Sequence, residues 1–103
     1  MKAVIDSDVL IDFLQGFEKA RLELARYRSP LYSVISWMEV MGGAESKEER
    51  EAAEGLFASM QRVDLTGKVA AQAVRERCQR GLKLPDAVIL ATADTKSKIG
   101  SDY

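Results

Sequence analysis

Apolar positions follow two rhythms along this chain. Ala3-Val4-Ile5, Leu31 to Ile35 and the piece from Arg62 to Leu65 are short runs carrying β-branched residues. Runs of that length between turn signals read as strands. Between them the apolar residues recur at helical spacing. Val9, Leu10, Phe13, Leu14 and Phe17 give a first helix after Asp6, and Gly16 closes its turn. Residues 18–28 give a second helix, broken by Ser29-Pro30. Ser36 to Met41 is a short helix stopped by Gly42-Gly43. Ser46-x-x-Glu49 is a capping box that opens a helix with Ala53, Leu56, Phe57 and Met60 inward. Thr66 caps a further helix, with Val69, Ala70, Ala73, Val74 and Cys78 inward, that ends at Gly81. Pro85 suits the first turn of a last helix, and Asp86 to Ala93 is apolar nearly all round, so that helix is buried. Strands alternating with helices predict an α/β fold, a sandwich on a mainly parallel sheet, and 103 residues make a single domain, 1–103.

Composition narrows the chemistry more than the class. The sequence contains no histidine. Histidine-based acid–base catalysis, Ser-His-Asp or Cys-His activation and histidine-ligated zinc are therefore excluded. What is left to catalysis is carboxylates, hydroxyls, amines or a metal held by oxygen. The net charge of −1 argues against a dedicated nucleic-acid coat but not against a nuclease, since the distribution of charge matters more than its sum. No apolar run approaches the roughly 20 residues of a membrane span. A strand begins almost at once, so no signal peptide is expected. The lone Cys78 fits a reducing cytoplasm.

Three acids stand at the starts or ends of elements beside apolar runs: Asp6, Glu39 and Asp86. Each has an ordinary structural reading. Glu39 completes a capping box with Ser36, Asp86 suits the dipole of a first helical turn, and Asp8 serves as N-cap of the first helix. Asp6 ends a strand, where open parallel sheets collect ligands, and caps nothing itself. Taken together, three acids at one sheet edge repel one another unless a cation or bound protons neutralise them. Oxygen ligands without nitrogen or sulfur select Mg²⁺ or Mn²⁺, and the matching chemistry is phosphodiester hydrolysis by metal-activated water.

The motifs around these acids resemble those of PIN-domain ribonucleases. Asp6-Ser-Asp8-Val-Leu-Ile-Asp12 is similar to the opening motif, Ser33-Val-Ile-Ser36-Trp-Met-Glu39-Val-Met-Gly-Gly-Ala44 to the second, and Leu84-Pro85-Asp86-Ala-Val-Ile-Leu-Ala-Thr-Ala93 to the third. All three fall in order, and size and pattern look most like VapC-type toxins. The resemblance implies a three-layer α/β/α sandwich and an Mg²⁺-dependent endoribonuclease. Asp6, Glu39 and Asp86 would hold the metal, Ser36 and Thr92 would be supporting hydroxyls, and Asp8 a helper near the ion. The products would carry a 5′-phosphate and a 3′-hydroxyl. It implies a homodimer and a VapB-like antitoxin that inhibits the acidic groove.

One stretch departs from the family. Where the family continues with another strand and an Asp-Phe pair bearing a fourth acid, this sequence runs Lys96-Ser-Lys-Ile-Gly-Ser-Asp102-Tyr103. The last strand and a fourth ligand at Asp102 therefore stay open. Asp94 is a poor substitute, about 80° round the helix from Asp86 and ~12 Å along it. The band of Arg75, Arg77, Arg80 and Lys83 is a solvated helix face on the bland reading and a phosphate contact on the functional one, with Arg80 and Lys83 placed for RNA. Tyr32 and Trp37 are expected in core or dimer contacts. Two alternatives stand beside the nuclease. One is a catalytically degenerate PIN-fold binding module. The other is a haloacid-dehalogenase-like phosphatase with Asp6 as nucleophile and Asp8 as acid.

Overall fold

The chain enters as an extended, buried segment, 3–5, that runs parallel to a neighbour. Ile5 N–H donates to the Leu31 carbonyl and Leu31 N–H to the Ala3 carbonyl, both at 2.8 Å. The structure, a computed structural model, describes residues 3–96. In order follow α1 (Ser7–Leu14), α2 (Glu18–Ala25), β1 (Leu31–Ser33), α3 (Val34–Gly43), α4 (Lys47–Ala58), β2 (Gln61–Val63), α5 (Gly67–Arg80) and α6 (Leu84–Lys96). β1 and β2 pair in parallel, with Leu31 opposite Gln61. The sheet is thus β1 between the entering segment and β2, parallel throughout, with β1 and β2 only three residues long each and so shorter than expected.

Strand alternation sorts the core into two faces. Ala3, Ile5 and Tyr32 pack with Leu10 of α1, Val40 of α3, and Ala53 and Phe57 of α4. Val4 and Leu31 turn the other way, onto Ala93 of α6. Behind α6 lies α5, joined to it through Val69, Ala73, Ala87, Val88 and Ala91. Three alanines in that interface let the two helix backbones approach closely. Helices on both faces of a parallel sheet make the three-layer α/β/α sandwich. Tyr32 is a core residue, its ring centroid 4.5 Å from that of Phe57.

Several local expectations are corrected by capping geometry. Asp6, not Asp8, is the N-cap of α1: its Oδ1 accepts from the Asp8 backbone N–H at 3.3 Å, and Asp8 lies in the first turn. Ser33 caps α3 by accepting from Ile35 N–H, so α3 starts two residues early. Ser36 and Glu39 are therefore interior helix residues and form no capping box. The helix also runs through Gly42 and Gly43 to a C-cap at Ala44. The second helix ends at Ala25, short of the expected 28. In α5 the inward stripe is Val69, Ala73 and Glu76; Val74 and Cys78 are exposed.

Other expectations hold. Ser46 accepts from Glu49 N–H at 3.0 Å, while Glu49 reaches back to Glu45 N–H. Thr66 caps α5, and Gly81 ends it in the left-handed region at φ 67°, where a side chain would be strained.

Candidate functional site

The site grows from the junction where the entering segment becomes α1. Asp6 stands at the carboxyl end of that segment, half-buried, with its backbone still extended. Beside it Ser7, 5% exposed, opens the helix. Its Oγ lies 2.8 Å from Glu39 Oε1 and 2.9 Å from Ser36 Oγ. One hydroxyl carries one proton, and an ionised carboxylate can only accept. The Ser7 proton therefore goes to Glu39, and Ser36 supplies the proton of the Ser7–Ser36 bond. Ser36 and Glu39 are i, i+3 on α3 and share the face that meets α1. A relay of two hydroxyls thus pins Glu39 beside the strand-end acid, across 32 residues of sequence.

Two grooves flank α1. One, of about 360 Å³, lies between α1, α3 and α4 and is lined by Ile11, Leu14, Glu39, Val40 and Ala53. The other, of about 450 Å³, lies between α1 and α2 and is lined by Asp6, Val9, Asp12, Phe17, Lys19 and Glu23. Glu39 opens on the first and Asp6 on the second, so the two candidate acids lie on either flank of α1.

The other expected residues fall as follows. Asp86 is exposed in the first turn of α6, a helix that packs on α3 and β1. Asp8 is exposed on α1. Thr92 is buried and its hydroxyl donates to the Val88 carbonyl at 2.7 Å, so its proton is used within α6. Lys83 is exposed in the α5–α6 connection. Arg80 turns back along its own helix, with Nε 2.8 Å from Glu76 Oε2 in an ion pair too bent for a linear hydrogen bond. Arg75 likewise bonds to the amide oxygen of Gln72. Asp102 lies outside the described residues.

The donors are all hard oxygens, which Mg²⁺ and Mn²⁺ accept. Among the described residues no three acidic or sulfur-bearing side chains converge into a ready-made metal cage. Mg²⁺ does not need one, since it binds through one or two carboxylates and keeps waters or takes phosphate oxygens. The donor set fits that ion in its chemistry and leaves most of the coordination shell to water and substrate.

Two buried polar residues were not singled out from the sequence: Ser7, which organises this geometry, and Glu76, which lies away from it on α5. Ser7 could have been found as a small hydroxyl at the first helical position after a strand-end acid. Glu76 could have been found from the α5 stripe at 69, 73 and 76. It is 5% exposed and accepts from Gln72 Nε2 at 2.9 Å. Burial, then the neighbouring Glu76 carboxylate, pushes the carboxyl of Asp94 on α6 above its ordinary range, with Arg80 and Gln72 opposing.

Comparison with known proteins places this arrangement. The PIN domain family matches residues 3–98. The chain therefore belongs to the PIN-domain family, which sets aside the phosphatase alternative. Among solved structures, the chain is similar to one described as a toxin–antitoxin complex from Klebsiella pneumoniae, with 32% identity and a TM-score of 0.85. That match covers 92% of this chain and 80% of the other. The structure of VapBC2 from Rickettsia felis, bound to a DNA fragment from its promoter, shares the fold at 17% identity and a TM-score of 0.75. It covers 94% of this chain and 83% of that one. The second neighbour shows the shared fold alone; the first is itself described as a toxin–antitoxin complex. No curated protein matches the chain.

Proposed function

We propose that this protein is a VapC-like toxin, an endoribonuclease dependent on Mg²⁺ or Mn²⁺. The observation that carries the reading is the Ser36–Ser7–Glu39 relay, which holds a glutamate from α3 beside the strand-end Asp6. A relay of buried hydroxyls that ends on an exposed carboxylate is poor economy for stability alone. It suits a carboxylate whose direction matters. Asp6, Glu39 and Asp86 would hold the ion, which would supply Lewis-acid chemistry for phosphodiester hydrolysis by water. Asp6 and Asp86 are direct ligands, while Ser7 and Ser36 fix the Glu39 rotamer. Asp8 adds negative potential at the same turn. Cleavage leaves a 5′-phosphate and a 3′-hydroxyl. Lys83 meets the RNA backbone. Arg80 does so only with the guanidinium edge that Glu76 does not occupy.

The toxin–antitoxin nature of the 32%-identical neighbour supports a VapB-like antitoxin as protein partner. Trp37 and Met38, adjacent and partly exposed on α3, support a homodimer. Among the described residues no helix is long and apolar enough to cross a membrane, in keeping with a cytoplasmic enzyme. The decisive experiment is cleavage of labelled RNA by antitoxin-free protein, with Mg²⁺, with Mn²⁺ and with chelator. Metal-dependent cutting that Asp86→Asn abolishes, in a variant that melts no lower than wild type, is the expected result. Asp86 is exposed, so exchanging its carboxylate for an amide costs the fold little.

A second reading draws on the unconverged acids: a degenerate PIN-fold module that binds a partner and cuts nothing. Absence of metal-dependent cleavage in the same assay would select it.

A further inference from the structure

We infer that the groove between α1 and α2 is a base-specific subsite that stacks a guanine on Phe17 and reads its N–H edge with Asp12. This rests on the nuclease reading, because the groove opens on Asp6. Phe17 is 56% exposed at the N-terminus of α2, an apolar ring left in water where the core could not use it. It shares the groove with Val9 and Ala20, which give an apolar floor, and with Lys19. The volume, about 450 Å³, lies within the range of pockets that take small ligands. An exposed ring with apolar neighbours, in a groove that also reaches Asp6, is an arrangement on which an unpaired RNA base stacks.

The acids decide which base. Asp12 and Glu23 line the same groove. Both oxygens of Glu23 are engaged, one with Arg26 and the other with the Tyr27 hydroxyl. Asp12 is then the acceptor for the ligand. An ionised carboxylate accepts and never donates. Of the four bases, guanine alone offers two adjacent N–H donors, N1–H and the N2 amino group, spaced for the two oxygens of one carboxylate. Uracil and adenine turn acceptors toward it as well. Lys19 meets a phosphate of the same nucleotide, which brings the adjoining phosphodiester toward Asp6. The acidic lining disfavours a bare phosphate in the groove and favours a donor-rich base.

The test has a catalytic arm and a binding arm. Oligoribonucleotides that differ in one base are cut by the wild type, Phe17→Ala, Phe17→Trp and Asp12→Asn. Phe17→Ala is expected to raise KM about tenfold with kcat nearly unchanged, through lost stacking. Phe17→Trp restores it. Asp12→Asn removes most of the preference for guanine. In the binding arm, guanosine, adenosine, cytidine and uridine are titrated into metal-free protein and followed by NMR. Guanosine alone is expected to shift the Phe17 ring signals. If the wild type cuts every sequence alike and Phe17→Ala cuts as well as wild type, the subsite falls and the nuclease stands. If nothing is cut while guanosine still shifts Phe17, the nuclease reading falls and the base site stands. Phe17→Ala weakening only the antitoxin overturns the subsite in favour of a protein contact. Neither cutting nor guanosine binding overturns both.

Discussion

Two regions of this molecule bury polar groups, and they do it in opposite ways. Where α1 meets α3, the buried groups are the hydroxyls of Ser7 and Ser36, and the carboxylate they serve, Glu39, stays exposed. Where α5 meets α6, the carboxylate of Glu76 is itself buried, and its partners Gln72 and Arg80 are the ones that reach solvent. Neutral hydroxyls cost little to bury when they bond to one another, whereas a buried carboxylate is costly unless well paired. The first region therefore delivers charge to the surface at small cost. The second spends stability on a charge that lines neither of the two grooves beside α1. The contrast separates a site from an ion-pair network, although both look like acid clusters in the sequence.

The sharpest way to break that comparison is to neutralise each acid in turn. Asp6→Asn or Asp86→Asn should lower metal-dependent RNA cleavage by about 10³-fold or more, the loss of several kcal/mol of metal-centred stabilisation. Glu76→Gln should leave it within a factor of about two. Single-turnover cleavage rates decide the matter, and a loss at Glu76 equal to that at Asp6 would erase the distinction.

A smaller effect tests the relay itself. Ser7→Ala removes the donor to Glu39 and leaves Ser36 without its partner. The expected cost is about 1–2 kcal/mol in stability. Cleavage should fall about tenfold or more, because a carboxylate left free to rotate is poorly placed. Ser7→Thr keeps the hydroxyl but crowds a buried position, so its activity should recover further than its melting temperature. A Ser7→Ala protein that cuts at the wild-type rate would reduce the relay to packing.

These residues also mark how far the sequence could be read. The α/β class, the parallel sheet and the buried α6 were legible because apolar rhythm reports burial directly. The three acids stood out as candidates because carboxylates beside apolar runs are unusual, and the motif resemblance ordered them. Caps were harder. Asp6 and Asp8, or Ser33 and Ser36, are equally good N-caps by residue type, and only the entry angle of the chain into the helix chooses between them. That choice moved Glu39 out of a capping box and into a relay. Strand length was overestimated because Val34 and Ile35 have β propensity, yet Ser33 captures the Ile35 N–H and starts α3 there. In α5, Val74 and Cys78 are more apolar than Glu76, but helical geometry places Glu76 on the stripe with Val69 and Ala73. No composition rule would put a glutamate inside ahead of a valine.

The stability side of the comparison is sharpened at Glu76. Glu76→Leu replaces a buried carboxylate by an apolar group of similar size, and Arg80, 62% exposed, keeps its hydration when released. Such exchanges are commonly neutral or stabilising. The protein should melt at the same temperature or a few degrees higher, by about 1 kcal/mol at most. Glu76→Ala should do worse than Glu76→Leu, since it leaves a small cavity beside Ala73. Loss of more than about 1 kcal/mol in the leucine variant would mean that the ion pair holds α5 in place, and the two regions would be more alike than argued.

The smallest effect is the most specific. Burial and the adjacent Glu76 hold the Asp94 carboxyl above its ordinary value of 3.8, so the folded protein keeps a proton there that the unfolded chain releases. When the folded state binds more protons, stability falls as pH rises. For Asp94 the fall begins near the unfolded value and ends once pH has passed the raised folded value; above that the penalty is constant. Asp94→Asn cannot titrate and should therefore be slightly more stable than wild type at pH 7. Its advantage should shrink as pH drops through the raised value and vanish below about 4. Urea midpoints for both proteins between pH 3 and 7 measure this directly. Asp94 is largely exposed, so solvent screens the interaction and the gain should be small. In a Glu76→Leu background, the neighbouring charge is gone and the pH-dependent part of that gain should shrink. If it does not, burial of Asp94 alone sets the effect, and Glu76 is not the source of the coupling between α5 and α6.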